Sequence, residues 1–403
     1  MKVTLINHSD VLGGASTVTF RLMEALTAAG VDARMLVVHD GSGDSRVFKA
    51  ASKLRAKVPF LEEHLRIFTH NGFSRKTLFK ISIATDGLPL SRHPLVLDAD
   101  VVVLNWINQG MLSLEEIARI AAVKPVVWTM HDMWNLTGVC HHAGDCERYT
   151  SRCHDCPLLG RCAGKNDLSA LTFDRKTGLY ASAGIHFVAV SSWLEDKARR
   201  SALMRNCDVR MINNPFPVNA ISRQEAVPGL PVDVKVILMC AARLDDPVKN
   251  LPLAVEALNA VHDAGEMATA VFVGELRDPR GLDDLRMPRI HLGPVYDKQR
   301  LSEIFGRADV VLSSSVYESF GSTLLEGQAA GATPVGFVHD GRADIITDGV
   351  SGYAAGEGLR TLEAALLLAL RQPIAQPQLL EAAARYSYEA IAARYIDLFK
   401  EII

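Results

Sequence analysis

The sequence lacks a long apolar run and a large net charge, and each absence excludes a class of protein. Its 403 residues include 43 Lys and Arg against 46 Asp and Glu, which gives a formal net charge of −3 at pH 7. This balance provides no overall field that attracts nucleic acid, so we expect no nucleic-acid partner. No apolar run approaches the roughly 18 residues that a membrane-spanning helix needs. The apolar start of the chain is too short for a signal peptide, so we expect a β-strand there and a cytoplasmic protein.

The composition is otherwise that of a globular protein, with 48% hydrophobic and 22% charged residues. The chain is long enough for two domains with separate cores. It begins with an apolar strand over residues 2–6, a helix over 15–29 and a second strand over 33–38, which together predict a βαβ unit. The same alternation returns after a stretch with several prolines, residues 214–233, which predicts a linker. The sequence therefore predicts an α/β protein with two doubly wound domains.

The most informative stretch runs from Tyr317 to Glu326, between a predicted strand and a predicted helix. Gly321 permits a tight backbone turn, and Ser322 is predicted to cap the helix that follows. The free N–H groups and the positive dipole end of such a helix suit a phosphate. Glu318 in the loop and Glu326 in the helix can accept hydrogen bonds from sugar hydroxyls. The stretch therefore predicts a nucleotide-sugar site, whereas two acids eight residues apart would alone indicate only solvated surface.

The full string E-S-F-G-S-T-L-L-E, followed by G-A-T-P-V, resembles the E-x7-E region of the retaining glycosyltransferases of family 4. Those enzymes have the GT-B fold, in which two Rossmann-like, doubly wound domains face each other across a cleft. The resemblance implies that Glu318 lies near the donor sugar and diphosphate and that Glu326 binds the ribose hydroxyls. It also implies that the donor lies against Phe320, Gly321, Ser322 and Thr323.

The resemblance further implies the reaction and the domain boundaries. A sugar would move from a UDP- or GDP-sugar to a glycan or lipid-linked acceptor in surface polysaccharide biosynthesis, with retention at the anomeric carbon and without a catalytic metal. In GT-B proteins the last helix returns to the first domain. We therefore expect an acceptor-binding domain over residues 1–213 plus about 388–403, and a nucleotide-sugar-binding domain over 214–387. The last helix is predicted to be continuous over residues 378–403.

Two cations follow the first predicted strand of the second domain. Arg243 and Lys249 lie at its carboxyl end, where an arginine fork and a lysine point charge would meet a diphosphate. Taken alone, they would be two surface cations. Family 4 enzymes carry G-R-L…K-N here and use both cations for the leaving phosphates, although Ala242 replaces the glycine in this chain. A second departure is residues 340–342, D-G-R, where the family often has a Gly-Gly pair.

The candidate donor contacts in the first domain are Gly13, Gly14 and His131. The two glycines follow the first strand, at the edge where open α/β sheets bind ligands, and they would let the backbone approach a phosphate. The alternative is an ordinary strand-to-helix turn. His131 ends a predicted strand over residues 125–129, and in family 4 a His-Asp pair at this place contacts the donor sugar. The alternative is a structural histidine that binds backbone.

Five of the seven cysteines fall in residues 138–165, which we call the cysteine-rich segment. Cys153 and Cys156 form a C-x2-C hook that suits tetrahedral zinc, and Cys140 and Cys146 would complete a four-thiolate site. The segment has little apolar periodicity, so we expect that it cannot build its own core and that a metal or disulfides order it. Structural zinc, disulfides and reduced packed thiols are the alternatives. A similar insertion occurs in a bacterial subgroup that resembles colanic acid and capsule biosynthesis transferases.

Residues 46–80, which we call the basic segment, differ from the rest of the chain in charge. Nine Lys and Arg stand there against two Glu, a local balance of +9 − 2 = +7. Apolar residues are interleaved with the cations, and such a segment can lie on anionic lipid. The pattern is therefore compatible with a peripheral contact with the inner face of the plasma membrane. The alternative is a solvated basic face that packs on the domain.

Two other functions agree with parts of the pattern. A GT-B sugar-nucleotide epimerase would bind the same donor and transfer nothing. A non-catalytic module would use the cysteine-rich segment as a zinc ribbon that contacts a partner. The zinc ribbon would need a basic surface, whereas the segment mixes four basic with three acidic residues.

Overall fold

Two separate parallel sheets organise the chain, one in each half of the sequence. The computed structural model describes all residues, Met1–Ile403. They divide into unit 1, which comprises Met1–Asn213 and Ile391–Ile403, and unit 2, which comprises Asn214–Ala390. The predicted α/β class is confirmed in both units.

The sheet of unit 1 contains seven strands, all of them parallel. Their bounds are β1 (Lys2–Ser9), β2 (Asp32–His39), β3 (Val47–Lys49), β4 (Val101–Leu104), β5 (Val126–Met130), β6 (His186–Ala189) and β7 (Asp208–Met211). They are ordered β3-β2-β1-β4-β5-β6-β7, so the direction of strand addition reverses between β1 and β4. Strands buried on both faces favour continuous apolar runs, and β4 consists of three valines and a leucine that are all fully buried. Ligands of such sheets bind at the carboxyl ends of the strands beside the reversal.

Six helices within residues 1–213 accompany the sheet of unit 1. They are α1 (Gly14–Ala28), α2 (Lys53–His70), α3 (Pro94–Asp98), α4 (Leu114–Ala121), α5 (Leu168–Ser182) and α6 (Ser192–Arg200). Side chains define three of the helix starts, since Ser113, Asp167 and Ser191 accept hydrogen bonds from N–H groups in the first turns of α4, α5 and α6.

Unit 2 repeats the architecture with six parallel strands. These are β8 (Lys235–Arg243), β9 (Ala268–Glu275), β10 (Arg289–His291), β11 (Val310–Ser313), β12 (Thr333–Phe337) and β13 (Tyr353–Ala355), in the order β10-β9-β8-β11-β12-β13. The helices are α7 (Leu251–Asp263), α8 (Lys298–Arg307), α9 (Ser322–Ala329), α10 (Leu362–Arg371) and α11 (Gln376–Ala384). Buried residues such as Leu258, Phe272 and Leu366 join sheet and helices in one core. The order reverses between β8 and β11, and the loops that follow these two strands carry the candidate residues of unit 2.

The end of the chain differs from the sequence prediction. We expected one helix over residues 378–403, whereas the structure has α11 and a separate α12 (Tyr388–Ile402). The Oγ atom of Ser387 accepts a hydrogen bond from the backbone N–H of Ala390 at 3.2 Å. This contact is an N-cap, so a new helix begins there. None of the helices has both the length and the apolar character that crossing a bilayer requires.

Candidate active site

An ion pair between Lys249 and Glu318 joins the loops that follow β8 and β11. Lys249 ends a short 3₁₀ turn, and its Nζ lies 2.6 Å from Oε1 of Glu318. The hydroxyl of Ser315 donates to the same oxygen at 2.7 Å. Burial raises the pKa of Glu318, but the Lys249 charge and these hydrogen bonds together bring it below its ordinary value. The carboxylate is therefore charged and fixed, although it is 69 residues away from Lys249 in sequence.

The start of α9 lies four residues beyond Glu318 and carries no side-chain cap. Gly321, with φ of +94°, occupies the N-cap position, and Ser322 is the first helical residue. The prediction that Ser322 caps the helix was therefore wrong, because the glycine takes that place. The first N–H groups of α9 receive no side-chain acceptor, so the helix start retains the properties of an anion site. Phe320 packs on Tyr386 with 5.5 Å between ring centroids, so it would offer a ligand its backbone rather than its ring.

Arg243 at the end of β8 is paired with two neighbouring acids. Its Nη2 donates to Oδ2 of Asp246 at 2.9 Å, and its Nε lies 3.4 Å from Oδ1 of Asp245. The Nε atom and that oxygen are both buried and make no hydrogen bond, because the second contact lacks the required geometry. Arg243 forms no hydrogen bond or ion pair with Lys249 or Glu318. A diphosphate that binds Arg243 must therefore compete with Asp246.

Glu326 lies on the second turn of α9 and is buried. The partly buried Cys240, near the end of β8, shows where Glu326 lies relative to that strand. The pKa of the Cys240 thiol is raised to about 12, because burial and the Glu326 charge raise it more than the Lys249 charge lowers it. Both Glu326 and Lys249 therefore lie within electrostatic range of the end of β8.

Asp340 and Arg342 support the Glu318 loop, and the sequence did not predict this role. The side chains form a fully buried ion pair, with Nη2 of Arg342 2.7 Å from Oδ2 of Asp340. The same Oδ2 accepts the backbone N–H of Glu318 at 2.8 Å. Between them, a Cβ atom at Gly341 would lie 2.1 Å from the carbonyl oxygen of Ser319. The D-G-R sequence, which replaces the family's frequent Gly-Gly pair, therefore fixes the position of the loop.

In unit 1 the glycine pair Gly13-Gly14 forms the turn from β1 to α1. Gly13 has φ of +89° and is the N-cap of α1, so its position requires a glycine. A Cβ atom at either glycine would meet no protein atom within 4 Å. The protein itself therefore leaves the space beside this turn open.

His131 follows β5, and its ring forms a hydrogen bond with the side chain of Asn105 rather than with the backbone. Its Nε2 lies 3.0 Å from Oδ1 of Asn105, the residue that follows β4. Burial lowers the pKa of His131 to about 4, although the neighbouring Asp132 opposes the shift. The imidazole is therefore neutral at neutral pH. Because Nε2 donates to Asn105, Nδ1 is left as a hydrogen-bond acceptor.

Asp132 connects this strand edge to the cysteine-rich segment. Its Oδ2 accepts from the indole Nε1 of Trp106 at 3.1 Å and from Nδ1 of His141 at 2.8 Å. The other ring nitrogen of His141 lies 3.0 Å from the Oγ of Ser82. Burial raises the pKa of Asp132, but the His141 contact and the hydrogen bonds from Trp134 and Trp106 lower it overall. His141 thus connects the cysteine-rich segment with the carboxyl ends of β4 and β5, and sequence spacing gave no sign of this.

The predicted four-thiolate zinc site at Cys140, Cys146, Cys153 and Cys156 is not assembled. No group of three or more His, Cys, Asp or Glu side chains in the chain is arranged to hold a metal ion. All seven cysteines are free, so the disulfide alternative is not formed either. The Sγ of Cys153 instead accepts the backbone N–H of Gly138 at 3.2 Å. Burial raises the pKa of Cys140 to about 12 and that of Cys153 to about 11, which favours neutral, packed thiols.

The segment builds no core of its own, as expected, but it shares a small core with residues outside it, which orders it without a metal or a disulfide. Val139, Cys156 and Leu159 pack in a small core with Ile67 of α2, and Ile81 and Ile83 complete it. The partners thus come from far upstream, where a local periodicity search does not detect them. Hydrogen bonds add further order: the backbone N–H of Cys156 donates to Oδ2 of Asp167 at 2.8 Å.

Comparison with a solved structure gives the class of fold. Over its whole length the chain resembles HepE from Anabaena, crystallised in complex with UDP and glucose, with a TM-score of 0.62, 15% sequence identity and 100% of both chains covered. At this identity the likeness shows the fold alone. The chain has the GT-B fold of glycosyltransferases, as predicted.

Sequence comparison adds a family match within unit 2. Residues 235–372 match the family described as "Glycosyl transferases group 1", and this region contains all the candidate residues of unit 2, from Arg243 to Glu326. A phosphatidyl-myo-inositol mannosyltransferase of Mycobacterium leprae is 26% identical over 229 residues, which is 52% of this chain and 58% of that protein. The putative colanic acid biosynthesis glycosyl transferase WcaC of Escherichia coli is 28% identical over 134 residues, which is 30% of this chain and 31% of that protein. The chain therefore spans less than two thirds of each of these relatives.

Proposed function

We propose that the chain is a retaining glycosyltransferase that transfers a sugar from a UDP- or GDP-sugar to a glycan or lipid-linked acceptor in surface polysaccharide biosynthesis. The observation that carries the proposal is the Lys249–Glu318 pair beside the uncapped start of α9, within the region that matches the group 1 family. The complex of HepE with UDP and glucose supports a nucleotide-sugar donor, and the similarity to WcaC, a putative colanic acid biosynthesis glycosyl transferase, supports polysaccharide biosynthesis.

The departing diphosphate defines what the site of unit 2 has to do. When the bond between the anomeric carbon and the diphosphate breaks, negative charge develops on the phosphate oxygen. Lys249, Arg243 and the first N–H groups of α9 stabilise that charge, and no metal ion is needed for it. Arg243 exchanges Asp246 for two phosphate oxygens, which its planar fork matches. Glu318, which Lys249 and Ser315 hold in place, orients hydroxyls of the donor and does not attack the sugar.

The residues of unit 1 have complementary roles in the proposal. His131 binds the donor sugar with its neutral ring, whose Nδ1 accepts a hydrogen bond from a hydroxyl. The open space beside Gly13 and Gly14 receives part of the donor. The protein works at the cytoplasmic face of the plasma membrane, where a lipid-linked acceptor is available to the basic segment.

The test starts with binding, because donor and acceptor are unidentified. The purified protein is melted with a panel of UDP- and GDP-sugars, since a ligand at 100 times its dissociation constant adds about 2.7 kcal/mol of stability. With the donor found in this way, Arg243→Ala and Lys249→Ala are each expected to keep the fold and to lose at least about tenfold in turnover, which corresponds to about 1.4 kcal/mol. Arg277→Ala is the matched control, because this arginine is exposed and pairs only with Glu275 in the same unit. Turnover that is unchanged in both site variants would contradict the proposal.

A GT-B epimerase that binds the same donor is separated by its products. The donor is incubated with and without extracted lipid-linked acceptors. The proposal predicts a glycosylated acceptor and released nucleoside diphosphate, whereas an epimerase would return an isomeric nucleotide sugar in both reactions.

A further inference from the structure

Helix α2 presents an apolar face to solvent. Leu54, Val58, Leu61 and Leu65 are 76%, 50%, 61% and 62% exposed. Their spacing of four, three and four residues places them in one row along the helix, which we call the α2 stripe. Seven of the 21 large hydrophobic residues that the chain exposes lie in the basic segment, which is less than a tenth of its length. The exposure is therefore concentrated at one place on unit 1.

The opposite face of α2 is firmly attached, so the stripe cannot simply turn inward. Both carboxylate oxygens of Glu63 are buried and accept backbone N–H groups: Oε1 from Ile83 and Ala84 at 2.8 and 2.9 Å, and Oε2 from Gly110 at 2.7 Å. Ile67, one turn further along, is buried in the core shared with the cysteine-rich segment. Rotating the helix would break three charge-assisted hydrogen bonds and expose this core. The orientation of the stripe is thus a property of the fold.

Unpaired cations flank the stripe. On α2, Lys53 and Lys57 lie on one side of the row and Arg55 on the other, and none of the three forms an ion pair. Three more exposed cations without an ion pair follow the helix, among exposed phenylalanines: Arg75, Lys76 and Lys80 beside Phe73 and Phe79. The only exposed acid between residues 45 and 85 is Glu62. Arg66 also lies on this helix, but it contacts Asp86 at 3.1 Å.

We infer that the α2 stripe inserts into the surface of an anionic lipid bilayer and that the flanking cations bind its headgroups. A row of leucine and valine on an otherwise basic helix is the arrangement of helices that lie in the membrane interface. Each uncompensated cation near an anionic surface adds to the attraction, whereas a second copy of the same basic face would be repelled. The complementarity of charge therefore selects anionic lipid over self-association.

The inference deepens the proposed function and rests on it for its purpose, because an enzyme that takes a lipid-linked acceptor gains from lying on the lipid surface. It is tested without donor or acceptor. Lipid binding that persists in a protein without transferase activity would leave the inference standing and remove the proposed function. Transferase activity in a protein that does not bind vesicles would leave the proposed function standing and overturn the inference.

The experiment measures cosedimentation of the full chain with vesicles. Wild type is expected to bind vesicles of phosphatidylglycerol mixed with phosphatidylcholine, to bind phosphatidylcholine alone much more weakly, and to dissociate as salt rises. Leu61→Gln/Leu65→Gln is expected to weaken binding by at least about tenfold, because two apolar side chains no longer enter the bilayer. Lys53→Gln/Lys57→Gln is expected to weaken binding to the anionic vesicles by about 25-fold, since each of the two cations contributes roughly fivefold.

The matched control is Leu97→Gln/Leu359→Gln, which removes two leucines of similar exposure, 50% and 49%, elsewhere on the surface. This variant should bind vesicles as wild type does, and thermal melting should show that all variants are folded. Equal binding by wild type and the stripe variant would overturn the inference, as would equal binding to neutral and anionic vesicles. A dimer that sedimentation detects in wild type and not in Leu61→Gln/Leu65→Gln would assign the stripe to a second copy and overturn it as well.

Discussion

The buried ion pair behind the Glu318 loop allows a sharp prediction for Asp340→Ala. Arg342 and Asp340 are 0% and 1% exposed, and the carboxylate of Asp340 receives four hydrogen bonds. Three come from the backbone and side chain of Arg342 and one from the backbone of Glu318. Removing the carboxylate leaves a buried guanidinium with only the Oγ of Ser313, 3.2 Å away, as a side-chain partner. We expect a loss of about 3–5 kcal/mol in the free energy of unfolding of unit 2.

The assay has to follow unit 2 separately from unit 1. All four tryptophans belong to unit 1, so tryptophan fluorescence reports the unfolding of that unit, whereas far-UV circular dichroism reports both. In urea, the part of the dichroism transition that is not accompanied by a fluorescence change reports the unfolding of unit 2. Asp340→Ala should shift this part to a lower urea concentration. The fluorescence transition serves as an internal reference. Donor binding should weaken too, because the backbone N–H of Glu318 loses its acceptor.

A control with the same local geometry exists on the surface of unit 2. Asp278 and Arg280 have the same spacing, and Nη2 of Arg280 lies 2.7 Å from Oδ2 of Asp278. Arg280 is 82% exposed, so solvent screens the pair, and Asp278→Ala should unfold close to wild type. The double variant Asp340→Ala/Arg342→Met should recover part of the loss, because no buried charge remains. If both single variants, Asp340→Ala and Asp278→Ala, lose the same stability, or if the double variant is worse than Asp340→Ala, the reasoning from burial is refuted.

Three further predictions concern the glycine turn, two histidines and the cysteines. Gly321→Ala should lose about 1–2 kcal/mol of stability because its φ is positive, and more because the new Cβ would lie 2.9 Å from Cγ of Arg342. Gly349→Ala is the control for the first effect, since Gly349 also has a positive φ but has open space around it. Equal losses of stability in the two variants would show that the contact with Arg342 adds no cost. Burial lowers the pKa of His8 and of His131 to about 4, so the unfolded chain takes up protons first as pH falls. The stability that the neutral rings contribute is full above about pH 6.5 and is lost as the pH falls toward 4, so the melting temperature should fall over this range. It should fall less in a variant in which both histidines are replaced by Asn. The same pH dependence of the melting temperature in wild type and variant would contradict the prediction. Finally, thiol titration in denaturant should find seven free thiols per chain, and one equivalent of zinc by elemental analysis would show that the cysteine-rich segment rearranges around metal.

The strands of both sheets were predictable for a physical reason. Parallel strands that are covered on both faces consist of continuous apolar runs, so the strand predicted over residues 125–129 matches β5 to within one residue at each end. The candidate residues of unit 2 follow from the same topology, since they lie just beyond the carboxyl ends of such strands. Helix ends were harder. The break between α11 and α12 depends on one hydroxyl, that of Ser387, inside an otherwise helical pattern.

The contacts that fix the site were not predictable, because they join residues far apart in sequence. Nothing local to Asp340 or Arg342 indicates that both are buried or that they hold the loop of Glu318. The chain of hydrogen bonds from Ser82 through His141 to Asp132 likewise spans three segments. A local pattern gives the types of residue available, whereas the partner of each side chain is decided by the packing of the whole unit.

The small core beneath α2 has a consequence for exchanging parts between relatives. Ile67 of α2 packs with Cys156 and Leu159 of the cysteine-rich segment, so the buried side chains of each segment are complementary in shape to those of the other. A chimera that receives only one of the two from a homologue inherits an unfilled cavity under the helix. Helix α2 and the cysteine-rich segment therefore form one structural module. A chimera that is meant to exchange acceptor preference between such proteins should take both segments from the same homologue.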